Sequence, residues 1–271
     1  MAENIAGKTS KKRIFLIIFV LLVVILFFAF GKTIINRVDV INKYGGYLCE
    51  EVYQTKYNLT YKEPVSPTVK NGVTFDMEPF NLHEVKLDKD TGLGVWENES
   101  ADFHVLISEI STNDILFSSY SQAWATSELN DSFKEFLDAN DICNGADLCS
   151  ASLRFGRNQV GFFEYLFAPN YKMVELIILS DVQHLNYNNT DEPLYSADFD
   201  SGSLRFITQV TKEDGCTRYN TFVYIIEDDV VIGSFSLLIT DKGNNVTSLE
   251  DLARLFETMS CDTSFEVEIL S

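Results

Sequence analysis

The apolar pattern of this chain changes character near residue 31. From Ile14 to Phe30 the sequence reads IFLIIFVLLVVILFFAF, with no charge, no polar side chain, no Gly and no Pro. A bilayer's hydrocarbon core takes about 20 apolar residues, within a range of roughly 17–25. Gly31 and the stem of Lys32 extend the run, because lysine snorkels to the interface. Lys8, Lys11, Lys12 and Arg13 precede it. The positive-inside rule then keeps this end in the cytoplasm and sends the C-terminal part outward. A cleaved secretory signal also starts basic, but its apolar region is about 7–15 residues long and ends in a small-x-small site. Ala29-Phe30-Gly31 is a poor match to that site. The expectation is an uncleaved anchor: a basic tail over 1–13, a transmembrane helix over 14–32, and everything after it extracytoplasmic.

Beyond the anchor the pattern shortens. Residues 33–70 begin with helix-like spacing, which Gly45-Gly46 breaks, and Pro64 and Pro67 stop regular structure. This predicts a juxtamembrane stalk, with the folded domain occupying 71–271. Strand-like runs follow at 73–76, 84–87, 94–97 and 103–110, where FHVLISEI is mostly period two. Residues 112–140 read as helical, with caps at Asn130-Asp131-Ser132. The next block reads as strands over 152–154, 159–167, 172–180, 203–211, 219–227 and 230–240, the last two joined at Asp228-Asp229. Adjacent Phe162 and Phe163 fit a central strand covered on both faces; the rival reading is a binding patch. Ser248 followed by Asp251 and a Leu249, Leu252, Leu255, Phe256, Met259 stripe predicts a capped amphipathic helix. A last short strand is expected over 264–270. Strands in runs with few βαβ alternations give an α+β class, a mainly antiparallel sheet packed by a few helices.

The hairpin TFVYIIEDDVVIGSFSLLIT, a loop and the helix SLEDLARLFETMS resemble, in topology, the PsbP/Mog1-type α/β/α sandwich over about the last 200 residues. That resemblance implies an accessory or binding module rather than an enzyme, at the level of fold analogy.

Charge narrows the partners. The chain has 40 acidic and 21 basic residues, and the part after residue 32 carries 39 and 16 of them, a formal −23. Such a surface repels nucleic acid and anionic lipid, which both need basic patches. It also keeps a protein soluble, which says little about function.

Five cysteines occur. Outside the membrane they can pair. Cys143 with Cys149, and Cys216 with Cys261, are the disulfides that the spacing suggests, although four cysteines allow three connectivities. Cys49 is left over beside the membrane. Through it, or through the transmembrane helix, two copies could dimerise. No CxxC pair supports zinc. Asp88-Lys89-Asp90-Thr91-Gly92 with Glu99 departs from an EF-hand loop at its fifth and sixth positions and reads as a turn, as does 198–202. No GxSxG elbow, P-loop or dinucleotide fingerprint is present, and His83, His104 and His184 lie in no catalytic context. No catalytic, cofactor-binding or metal-ligating residue is therefore assigned, and no cofactor is expected. The sequence favours a membrane-anchored, non-catalytic binding or accessory module whose protein or small-molecule ligand is unspecified. A surface hydrolase using carboxylates or a metal is the first rival. A structural subunit of a membrane assembly is the second, and it requires an exposed apolar patch.

Overall fold

The computed structural model describes residues 19, 31–45, 56–87, 94–99, 102–155, 161–186, 193–243 and 248–262. Eight strands make one mixed sheet: β1 (Tyr57–Asn58), β4 (His83–Leu87), β5 (Gly94–Glu97), β6 (Asp102–Ile107), β7 (Pro193–Asp200), β8 (Leu204–Glu213), β9 (Cys216–Glu227) and β10 (Val230–Asp241). Their order is β1-β7-β8-β9-β10-β6-β5-β4. Only β1 and β7 run parallel; the other neighbours are antiparallel. A second antiparallel sheet holds β2 (Thr68–Lys70), β3 (Val73–Phe75) and β11 (Ser260–Cys261), in the order β11-β3-β2. The helices are α1 (31–44), α2 (Ile115–Ala125), α3 (Asn130–Ala139), α4 (Gly145–Phe155), α5 (Phe162–Leu166), α6 (Asn170–Asn186) and α7 (Leu249–Glu257). The α+β class is therefore as expected.

Alternation along β8–β10 explains the layering, since successive side chains on a strand point to opposite faces. Leu204, Phe206 and Val210 of β8 pair across from Ile225, Val223 and Tyr219 of β9. All six belong to one buried cluster with Leu252, Leu255 and Phe256 of α7 and with Val73 and Phe75 of the small sheet. Phe256 stacks on Phe206 at 4.3 Å between centroids and meets Phe199 edge-on at 5.1 Å. On the opposite face, Ile207 and Tyr224 join a second cluster made by α3, α4, α6 and Ile41 of α1. The large sheet is thus covered on both sides, by α7 and the small sheet on one and by the helical layer on the other.

Local chemistry sets the corners. Asp228 and Asp229 have φ of 49° and 64°, as a two-residue hairpin of the type that matches strand twist requires, and Asp tolerates that region better than most residues. Ser248 accepts from the Asp251 amide while Asp251 reaches back to the Ser248 amide, the capping box expected for α7.

Two expectations meet a different arrangement. The runs 152–154 and 172–180 are not strands but fall on α4 and α6, and residues 162–166 of the run 159–167 form α5, its residues 159–160 lying outside the described residues. In α6, Met173, Val174, Leu176, Ile178, Leu179 and Val182 are all buried. A helix covered on several sides loses its 3.6-residue stripe and reads like a buried strand. Within 33–70, expected to be a stalk, the described residues include Ile41, buried in the helical layer, and β1, which pairs with β7. The expected strand at 264–270 lies outside the described residues. So do residues 14–18 and 20–30 of the expected span; among the described residues no helix is long and apolar enough to cross a membrane.

Phe256→Ala should lower unfolding stability by about 3–5 kcal/mol, the usual range for a fully buried aromatic. Guanidinium titration checks this, and a loss below about 1 kcal/mol would mean that α7 does not close this face.

Candidate functional site

A hollow of about 600 Å³ opens between the two sheets. The small sheet lines it with Thr68, Val69, Lys70 and Asn71, and the large sheet with Glu84 and Trp96. The sequence builds this wall locally. Pro67 precedes β2, and Asn71-Gly72, with φ of 50° and 78°, turns β2 tightly into β3. Asn71 Nδ2 donates to the Ile107 carbonyl at 2.7 Å and so ties that turn to β6. The approach to Pro67 is held by Asp76, whose buried carboxylate accepts from the amides of Val65, Ser66 and Glu78 at 2.8–2.9 Å. Trp96 is 2% exposed and packs on Phe75 at 5.6 Å. Its indole lies across Gly94, where a Cβ would come within 2.2 Å of the ring.

Two features of the hollow bear on chemistry. Lys70 and Glu84 set opposite charges on its lining; burial lowers the Lys70 pKa and the Glu84 carboxylate opposes that shift. β2 lines the hollow, and it pairs only with β3 among the described strands. An unpaired edge offers backbone N–H and C=O groups to an incoming chain. One carboxylate beside an ammonium does not make a general acid–base pair of carboxylates, which needs two acids flanking one bond.

A second constellation lies at the joint between the large sheet and α4. Arg205 of β8 donates to Asp198 of β7 through Nε at 3.0 Å and Nη2 at 2.7 Å, and to Asp147 of α4 through Nη1 at 2.8 Å. Ser150 adds a bond to Asp198 at 3.0 Å. Burial acts to lower the Arg205 pKa, but the bonds and charges of Asp198 and Asp147 outweigh it and raise the pKa above its ordinary value. The guanidinium therefore stays charged, and the fork geometry matches carboxylates. With every oxygen engaged by the protein, this trio is suited to joining layers rather than to chemistry on a substrate.

The cysteines fall in separate settings. Cys143, Cys149, Cys216 and Cys261 carry free thiols in the structure, so neither suggested disulfide is formed there. Cys143 is exposed ahead of α4, and Cys149 is buried inside α4 with its sulfur 3.1 Å from the Tyr224 hydroxyl. Burial pushes the Cys149 thiol up to about 12, against the smaller lowering effect of the Tyr224 bond. Cys261 is also pushed up to about 12 by burial. Cys49 lies outside the described residues. His104 Nε2 sits 3.0 Å from Asp102 Oδ1, His83 is exposed on β4, and His184 falls in α6. Residues 88–93 of the EF-hand-like stretch lie outside the described residues, and among the described residues no group of three or more His, Cys, Asp or Glu could hold a metal. At 198–202, residues 198–200 end strand β7 and the chain turns only after them, where Gly202 with φ of 86° donates to Asp200.

The sequence reading missed Lys70, Glu84, Trp96, Arg205 and Asp147. It passed over Asp198 as a turn residue. At Asp198 and Arg205 the alternation Ala197-Asp198-Phe199 and Leu204-Arg205-Phe206 reads as an ordinary solvent face, so it gave no signal. Comparison of the chain with protein-family models, with curated proteins and with solved structures finds no match.

Thiol alkylation at pH 8 should label Cys143 and leave Cys149 unlabelled until the protein is unfolded, because the thiolate is the reactive form. Mass spectrometry of peptides reads the outcome. Equal labelling in the native protein, or a Cys143 that reacts only after reduction, would contradict the structure.

Proposed function

We propose that this chain is a membrane-anchored extracytoplasmic binding module, non-catalytic, whose N-terminus stays in the cytoplasm and whose hollow beside β2 takes an extended peptide segment. One observation carries the reading: β2, which pairs only with β3 among the described strands, lines a hollow that also holds Glu84 and Trp96. A peptide added to a sheet edge gains affinity from main-chain hydrogen bonds and specificity from pockets for alternate side chains. Lys70 and Glu84 would select charge along that peptide, and Trp96 supplies an aromatic floor. The anchor rests on the apolar run 14–30 and its basic flank. A PsbP/Mog1-type relationship belongs to this proposal at the level of topology. So does dimerisation through Cys49 or the span.

The test uses the full chain in detergent micelles. Peptides selected from a random heptamer library should bind with an affinity that falls about tenfold or more, ~1.4 kcal/mol, on Lys70→Glu or Glu84→Lys. N-methylation of the peptide backbone at the pairing positions should abolish binding. Charge reversals without effect would sink the proposed site, and steady hydrolysis of the bound peptide would sink the non-catalytic reading.

A further inference from the structure

The helix α5 presents phenylalanines to solvent. Phe163 and Phe167 are 73% and 75% exposed, and Phe162 is 39% exposed and meets Phe163 edge-on at 5.4 Å. Phe163 lies in α5 and Phe167 caps its C-terminal end. Tyr165 is turned inward, its hydroxyl directed at Glu175. This is the reverse of a central strand covered on both sides, which the two adjacent phenylalanines had suggested. Scattered exposed apolar residues need no explanation, but three large aromatics within six residues, on one short helix and its C-cap, do.

What lies next to them is on the same chain. Arg37 of α1 donates to the carbonyls of Leu166 and Ala168, at the C-terminal end of α5, and to Asn170 Oδ1 at 2.8 Å. Further along α1, Ile41 is buried in the helical layer, and the Tyr44 carbonyl accepts from Ser180 Oγ at 3.2 Å. Helix α1 is therefore fastened to α5 and α6. Its described part runs from residue 31, the position next to Phe30 at the end of the apolar run. From residue 31 to Arg37 the helix rises about 9 Å, at ~1.5 Å per residue. A bilayer's polar interface is itself about 5–8 Å thick on each side of the hydrocarbon. Ile34 and Ile35, 40% and 54% exposed, carry apolar surface along the interval.

From this juxtaposition we infer that Phe162, Phe163 and Phe167 insert into the outer leaflet of the bilayer that the apolar run spans, so that the domain lies down on the membrane along α1 and α5. The inference rests on the membrane-anchor reading. The expected lipid surface is zwitterionic, because a domain with a formal charge of −23 is repelled by anionic headgroups. Aromatic side chains at the interface are a common way to fix the tilt and depth of an anchored protein.

The experiment reconstitutes the full chain in phosphatidylcholine vesicles. Phe163→Trp is compared with Val69→Trp, which places the reporter on the small sheet, across the large sheet from the helical layer; the unsubstituted chain corrects for Trp96 and Trp124. Lipids brominated near the headgroup quench an indole that enters the interface, and flotation after alkaline carbonate shows whether the chain is anchored. The expected result is flotation, with the Phe163→Trp emission blue-shifted and quenched about twofold or more, and the Val69→Trp emission unchanged. Flotation with neither reporter quenched, or with both quenched alike, overturns this inference and leaves the anchor standing. Release of the chain by carbonate overturns the anchor reading and the inference with it.

Discussion

Arg205 holds the two halves of the molecule together. Its guanidinium bridges Asp198 on the sheet and Asp147 on α4, and Asp198 is almost completely buried. Two carboxylates and one cation are stable there only as a set, since a buried charge without its partner is costly. Much of the helical layer is registered from this point. Asp147 also accepts from the Cys143 amide, and its own amide bonds Asn144, which orders the start of α4. Asp114 caps α2 and accepts from the Gly145 amide, so α2 and α4 begin from one carboxylate. Cys149 then meets Tyr224 of the sheet. α6 packs against α4, and α6 in turn receives Tyr44 of α1 at Ser180.

This arrangement separates two surfaces. The hollow at Lys70, Glu84 and Trp96 belongs to the side of the large sheet that α7 and the small sheet cover. The phenylalanines of α5 and the start of α1 belong to the other side. A domain lying on a bilayer through α1 and α5 would leave the hollow on the face of the large sheet away from the lipid. The proposed anchor, the proposed docking face and the proposed ligand site are then compatible, because the sheet stands between the last two.

The sequence disclosed elements whose signal is local. The Asp228-Asp229 hairpin, the capping box at Ser248 and the strand at Gly94–Glu97 each depend on a few neighbouring residues, and each is where the pattern put it. The helices α4 to α6 were read as strands because their neighbours are tertiary. In α6, Glu175 is buried with Lys172, Asn140 and Tyr165 around it, so even its polar positions gave no outward face to detect. The candidate site was illegible for a related reason. Lys70, Glu84 and Trp96 come from three strands in two sheets, and nothing in their spacing announces that they meet. Arg205, Asp198 and Asp147 likewise join three elements, and polar residues within an alternating strand look like its solvent face until a helical layer is known to cover them. The phenylalanines of α5 were visible in the sequence, but whether they faced solvent depended on recognising a helix.

The most direct test of the layered account is the unfolding free energy of Arg205→Met in the full chain, followed by urea, alone and combined with Asp198→Leu. If Arg205 is the joint, the single substitution costs about 3–5 kcal/mol by stranding Asp198, and the double variant recovers part of that loss. If Arg205→Met stays within about 0.5 kcal/mol of the original chain, as an ordinary surface substitution does, the two layers are not held together in this way.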